Sequence, residues 1–478
     1  MSVPTIYWHD YETFGTDPAW DRPVQFAGIR TDENLQIVGE PLVLYCKPAN
    51  DMLPNPEACL ITGITPQTAF EKGLPEAYFI ASIYEQLVRP GTCGAGYNSL
   101  RFDDEVTRNC LYRNFYDPYA REWQNSNSRW DIIDMLRLAR AMRPECIEWP
   151  HADDGRPSFR LEEITRINQI EHSGAHDALA DVRATIAVAR LIRDRIPRLY
   201  SFVYAQRNKK RVAQLLAPER PAPVLHVSGR YPSAENCIAL VAPLARHPVN
   251  RNGIVVYNLA KDPEALIGRS AAEIRRLLFT AGDDLAADEE RVALKTVHLN
   301  KCPVVVPLKT LREQDADRLR IDVDRCLQNW SQIQKADGLT EKIADIFSIA
   351  PDTQTDDPDL MLYAGGFFSD ADRAKMSTIR QTRPESLGAI RERFDDPRLP
   401  EMLFRYRARN FPETLTKSES QRWDRYRIRR MTCVGRKGAL DIDAYRAEIE
   451  RLRLASRNVR ASDEILNDLE KWADQLIP

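Results

Sequence analysis

The chain has 478 residues, more than one hydrophobic core usually organises, so two or three domains are expected and a single small module is excluded. Hydrophobic residues at 43% and charged residues at 29% are ordinary globular values, and no run approaches the roughly 18 apolar residues of a membrane helix, so a soluble protein without a membrane anchor is expected. A net charge of −3 excludes binding nucleic acid through global positive charge, but not through a local basic groove.

The N-terminus has no basic start, long apolar stretch or small-residue cleavage site, so no export signal is expected. The nine cysteines are scattered and never form a Cys-x-x-Cys pair, which suggests neither a zinc site nor a disulfide framework. A cytoplasmic protein fits best.

In chain order, Ile6–Tyr11, Val24–Arg30 and Pro41–Tyr45 are apolar runs between polar turn-formers and predict consecutive antiparallel strands. Helical periodicity follows at Pro75–Val88, a short strand at Thr92–Tyr97, and helices at Asp103–Asn114, Trp130–Met142, Leu161–Asn168 and His176–Ile196. Strands with interspersed helices predict an α/β domain with a mixed sheet over residues 1–200. Pro218, Pro221 and Pro223 mark a linker, and the short β-branched runs at Val224–Val227, Cys237–Ala242, Gly253–Leu259 and Cys302–Pro307 predict a small β-rich domain over 201–350. Pro351–Asp359, acidic and carrying two prolines, reads as a second linker. Residues 351–478 are predicted helical, including Asp441–Leu454 and Ser462–Leu476, and no internal repeat is evident.

Asp10 and Glu12 stand two apart on the first predicted strand and so project from one face. Clustered carboxylates bind hard divalent ions, whose charge offsets their mutual repulsion. Alone, the pair is more often explained by polar alternation on a half-exposed strand. Asp103 follows where a strand gives way to a helix; it either points into the same crevice or caps the helix. His176 and Asp181 are five residues apart, about 140° around a helix, so His176 is expected on the entering turn and Asp181 within the helix. Small apolar neighbours, Ala180 and Val182, would make an unpaired Asp181 costly unless a metal supplied counter-charge.

The ordered set Asp10-x-Glu12, Asp103 and His176-x4-Asp181 resembles the DEDDh exonuclease superfamily of the ribonuclease-H-like fold. His9-Asp10-Tyr11-Glu12-Thr13-Phe14-Gly15, Asp21-Arg22-Pro23, Gly96-Tyr97-Asn98 with Arg101-Phe102-Asp103-Asp104-Glu105, and Arg113-Asn114-Phe115-Tyr116-Asp117-Pro118-Tyr119 narrow the likeness to the bacterial exonuclease I family. So do Pro157-Ser158-Phe159-Arg160-Leu161 and Leu403-Phe404-Arg405-Tyr406-Arg407-Ala408-Arg409-Asn410-Phe411-Pro412. The likeness spans nearly the whole chain and fades after about Arg430. It implies processive 3′→5′ hydrolysis of single-stranded DNA to 5′-mononucleotides in repair and recombination, with two Mg²⁺ ions for which Mn²⁺ can substitute. Asp10, Glu12, Asp103 and Asp181 would be the metal ligands, His176 the general base, and Glu12 a substrate contact as well. A small SH3-like domain and a C-terminal helical domain would close around the strand. The C-terminal tail of single-stranded-DNA-binding protein is the implied protein partner, and a monomer the expected state.

Between Arg101 and Arg143 basic residues interleave with aromatics, the chemistry that stacks bases at roughly 1 to 3 kcal/mol each and neutralises phosphates. Some of these side chains fill the core and others line a groove. The family resemblance singles out Arg108, Tyr119, Trp123, Arg137 and Arg143 for DNA contact, and Arg160 near the scissile nucleotide. Two further basic clusters, Arg207 with Lys209, Lys210 and Arg211, and about eleven basic against four acidic residues between Glu401 and Lys437, could line a DNA path; the second is equally read as solvated helix faces with ion pairing. Three other readings compete: an exoribonuclease or proofreading subunit with the same acids, a nucleic-acid-binding scaffold with a dead site, and a Ser or Cys hydrolase. Chain length disfavours the first, the complete acidic set the second, and the lack of a Gly-x-Ser-x-Gly elbow the third.

Overall fold

Along Thr5–Thr13 side chains alternate: Tyr7, His9 and Tyr11 turn to one face of the strand and Trp8, Asp10 and Glu12 to the other. The computed structural model describes residues 3–174, 176–281, 284–286, 289–349, 355–390, 393–433, 439–455 and 460–477. Its contacts form two units, Met1–Ser128 with His172–Ile186 and Thr353–Pro478, and Arg129–Glu171 with Ala187–Asp352.

In the first unit, β1 (Thr5–Thr13), β2 (Pro23–Asp32), β3 (Leu42–Tyr45) and β4 (Thr92–Gly96) lie in the order β3-β2-β1-β4. The β1–β2 and β2–β3 pairs are antiparallel, whereas β4 runs parallel to β1 from Thr5↔Thr92 to Trp8↔Ala95. The sheet is therefore mixed. Tyr7, Tyr11 and Phe26 on one face pack with Phe79, Ile80 and Ile83 of the helix Glu76–Leu87 and with Val106, Cys110 and Leu111 of the helix Asp103–Arg113. The C-terminal helices belong to this unit. Leu399, Met402, Leu403 and Tyr406 of the helix Leu399–Asn410 share a core with Tyr112 and Phe115. Tyr445, Ile449, Leu466 and Leu469, from the helices Ile442–Ala455 and Arg460–Leu476, share one with Phe14, Val24 and Cys59.

The strand β5 (Ser128–Asp131) leads into the second unit. Trp130 is thus extended rather than helical as its periodicity suggested. Asp131 Oδ1 accepts from Ile133 N–H at 3.0 Å, which starts the helix at Ile133, and Trp130 is buried edge-on against Tyr200 and Tyr204. The unit's sheet is antiparallel: β6 (Val224–Val227), β7 (Ile238–Arg246), β8 (Gly253–Asn258), β9 (Leu294–His298) and β10 (Val304–Pro307), in the order β10-β6-β7-β8-β9. Valine-rich inner faces close its core with Val212 and Leu216. Among the described residues, no helix is long and apolar enough to cross a membrane.

Two charge patterns differ from their sequence reading. Residues 351–354 of the acidic stretch lie outside the described residues, but Pro358 and Asp359 are buried, and Asp359 accepts from Arg405 and Arg409 at 3.0 and 2.7 Å. The end of that stretch is an anchor. Arg405, Arg407 and Arg409 of the second basic cluster are ion-paired, as one of its two readings has it, but inside the protein rather than on solvated faces.

Candidate active site

The pairing with β4 ends at Trp8↔Ala95, so among the described residues the edge of β1 beyond it has no strand partner on that side. Into this opening the chain turns sharply: a Cβ on Gly96 would stand 2.7 Å from Ser99 Cβ and 2.9 Å from His9 O, so only glycine lets the backbone pass. The helix Asp103–Arg113 begins two residues after the turn Ser99–Arg101. Asp103 Oδ1 accepts from Tyr11 N–H at 3.1 Å, satisfying a β1 donor beyond the end of the β4 pairing. The Thr107 hydroxyl bridges the Asp103 carbonyl and the Tyr11 hydroxyl, at 2.8 and 3.0 Å.

Asp181 arrives from the helix Ala178–Arg195. That helix is moored by Gln25 of β2, which faces Glu12 in register: Gln25 Oε1 accepts from Ala178 N–H, and its Nε2 donates to Asp177 Oδ2, both at 3.1 Å. Asp177 Oδ1 in turn accepts from Leu179 and Ala180 N–H. The result places carboxylate oxygens of Asp10, Glu12 and Asp181 within 4.8 Å of one another.

The electrostatics show what this convergence costs. Burial, then the charges of Asp103, Glu12 and Asp181, raise the Asp10 carboxyl well above the usual range. Glu12 is pushed up to about 8, chiefly by burial and then by Asp181 and Asp103. Asp181 is also raised by burial, against a lowering pull from His172 and His176. Four crowded acids with only oxygen donors are suited to hard divalent cations such as Mg²⁺ or Mn²⁺, which would supply the missing positive charge.

His176 is exposed on the turn before the helix, with φ +69°, in the left-handed region. A second imidazole was not singled out from sequence. His172, its side chain 5% exposed, places Nε2 2.5 Å from Asp181 Oδ1. The two stand nine positions apart, His172 on irregular chain and Asp181 within the helix, so no helix or strand spacing could signal the contact.

The residues expected to hold a strand are variously engaged. In the first unit, Arg108 is buried: it donates to Glu122 at 2.7 and 2.9 Å, to Glu105 at 2.7 Å and to the Tyr363 hydroxyl at 3.1 Å, with its guanidinium over the Tyr119 ring. Tyr119 is half-buried and meets Phe367 edge-on, while Trp123, Tyr363 and Phe367 are exposed. In the second unit, Arg137 donates to Asp134 at 2.6 Å and lies over Phe159; Arg143 is 3.6 Å from Asp315; Arg160 is exposed, 3.7 Å from Glu163. Arg207 stacks on Tyr204, and Lys209, Lys210 and Arg211 are exposed. Of the interleaved aromatics, Tyr112 and Trp130 are core residues.

Three family models match the chain in succession: an exonuclease model over residues 7–189, the exonuclease I SH3-like domain over 207–349 and the exonuclease I C-terminal domain over 356–476. Exodeoxyribonuclease I of Escherichia coli (strain K12) is 51% identical over 424 residues, 88% of this chain and 89% of that protein. The chain belongs to the exonuclease I family. Exonuclease I from Methylocaldum szegediense superposes with a TM-score of 0.94 at 56% identity, covering 99% of this chain and 100% of that one. The zinc-ion-bound form of the E. coli ExoI–ssDNA complex superposes at 0.93, with 46% identity over 99% of this chain and 100% of that one. All four acids and both histidines of this exonuclease I family member fall in the exonuclease-matched segment, and β6 to β10 fall in the SH3-like one. The helices after Arg430, where sequence likeness had faded, lie within the C-terminal family domain.

Proposed function

We propose that this exonuclease I family member degrades single-stranded DNA from its 3′ end, releasing 5′-mononucleotides processively by two-metal hydrolysis, in cytoplasmic DNA repair and recombination. The observation that carries the reading is the convergence of Asp10, Glu12 and Asp181 at the open end of β1, with Asp103 bonded to the same strand. Asp10, Glu12, Asp103 and Asp181 would hold two Mg²⁺ ions, with Mn²⁺ able to substitute. When bound, such ions lower the pKa of an attacking water and stabilise the leaving 3′-oxygen. His176, exposed beside Asp181, takes the proton from the water at its imidazole. Trp123 and Tyr119 offer rings to the bases, Arg137, Arg143 and Arg160 offer charge to the phosphates, and Arg108, paired with Glu122 and Glu105, supports the Tyr119 ring. Support for the substrate comes from the E. coli relative, whose structure holds single-stranded DNA and zinc. Family membership also supports the tail of single-stranded-DNA-binding protein as a partner, and a monomeric enzyme.

The test is a 5′-labelled oligonucleotide presented as single-stranded DNA, duplex DNA and RNA. The single strand should shorten from its 3′ end in Mg²⁺, much faster than the other two, and survive in EDTA. Asp10→Ala should lower kcat by at least about 10³-fold, the scale of losing a group that stabilises charge in the transition state. Undiminished cleavage by that variant would sink the two-metal assignment, and equal rates on all three substrates would reassign the substrate.

A further inference from the structure

The helix Asp103–Arg113 opens with two acids that face different partners. Asp103 meets the Tyr11 N–H; Asp104, 2% exposed, accepts from Arg121 Nη2 at 2.5 Å, and its Oδ1 packs 4.0 Å from His9 Nε2, beyond hydrogen-bonding distance. His9 and Arg121 are each 2% exposed as well. Among the described residues Asp104 is the hydrogen-bond partner of the Arg121 guanidinium, Nε and Nη1 having none, and Glu122 Oε1 stands further off, 3.8 Å from Nη2. The guanidinium lies over Gly94 of β4, where a Cβ would stand 3.4 Å from Arg121 Nη1 and 3.7 Å from His9 Cε1.

One sealed trio therefore joins β1, β4 and the first turn of the helix. These are the segments whose relative placement sets Asp103 against Asp10. The members are sequence neighbours of the acids themselves, His9 before Asp10 and Asp104 after Asp103. Buried this deeply, none of them can touch DNA. Stability alone is a poor reason for such a group, because desolvating an ion pair costs as much as the attraction returns, and apolar substitutes often serve equally well. What a buried pair does supply is one orientation, since any shift leaves a charge without its partner.

We propose that Arg121, acting through Asp104 and His9, is a positioning residue for the acidic cluster: it locks the helix Asp103–Arg113 onto β1 so that Asp103 stays on the Tyr11 N–H beside Asp10. The inference rests on the metal-site reading of those acids. Its effect should fall on metal binding and turnover rather than on DNA binding, a pattern that a purely structural role would not produce.

The experiment uses the full chain as Arg121→Met, Asp104→Asn, Arg121→Lys and the double variant Asp104→Asn/Arg121→Met. The double variant decides, because it leaves no uncompensated buried charge and should fold. Mn²⁺ affinity is measured by calorimetry, kcat and KM on single-stranded DNA well below the melting temperature, and Tm by circular dichroism. The expected result is a loss of about 10- to 100-fold in Mn²⁺ affinity and in kcat, the scale of removing groups that orient metal ligands, with KM unchanged. Arg121→Lys should recover part of the loss. Wild-type Mn²⁺ affinity and kcat in the double variant, whatever its Tm, would overturn the proposal and leave the trio a stability element; failure of every variant to fold would overturn it too. Absence of Mn²⁺ binding by the wild-type chain would instead refute the metal-site reading.

Discussion

Glu12 shows how the site's purpose conflicts with folding. Its carboxyl is held up to about 8, and that of Asp10 is raised too, because burial and neighbouring acids penalise the charged forms. An unfolded glutamate titrates near 4.3. Between that value and about 8 the folded state binds more protons than the unfolded one, so the metal-free protein should lose stability as pH rises through this window. Melting in EDTA should show Tm falling from pH 5 to pH 8. Asp10→Asn, which removes one of the repelling charges, should flatten that fall and raise Tm at pH 8, by about 2–4 °C per kcal/mol relieved in domains of roughly 150–250 residues. The same variant should be inactive. An Asp10→Asn protein that melts below the wild type at pH 8 would contradict this account.

At the scale of elements, the site depends on one strand being longer than its neighbour. β1 continues past the end of β4, and the unpaired edge is filled by a side chain, Asp103, where a sheet would normally place a backbone. Gly96 makes the turn that permits it. Gly96→Ala would press a methyl group against Ser99 and the His9 carbonyl, so a loss of roughly 1–3 kcal/mol is expected, as for other overpacked sites. The measurable signature is a lowered Tm accompanied by weaker Mn²⁺ binding, because the displaced segment carries Asp103. A variant with wild-type Tm and metal affinity would show that the turn tolerates a side chain.

Within the first unit, the C-terminal helices are tied to the N-terminal segments by buried charge as well as by apolar packing. Arg409 donates to Asp51 and Asp359, both at 2.7 Å, and Arg405 and Arg430 complete the network with Asp357. Despite complete burial, the arginines hold Asp51 and Asp359 well below the usual carboxylate range. Depressed folded-state values contribute stability that is present above the unfolded pKa of about 3.9 and is lost as pH falls below it. Arg409→Met, which strips Asp51 of its main partner, should cost about 3–5 kcal/mol and move acid unfolding toward higher pH. Far-UV circular dichroism across an acid titration measures both; an unchanged midpoint would mean that Arg430, 3.6 Å from Asp51, suffices alone.

By itself, the sequence determined the elements and the identity of the acids. Period-two alternation put Asp10 and Glu12 on one face of β1, helical periodicity placed Asp181 within its helix, and spacing kept His176 on the turn before it. Such patterns are local, so one segment suffices to read them. Trp130 failed because a four-residue strand running into a helix has too few residues to show its own period. The tertiary structure alone decided which charges became partners. His172 on Asp181, Arg121 on Asp104 and Arg409 on Asp359 are contacts between segments that carry no shared spacing, and only the folded chain brings them within hydrogen-bonding distance.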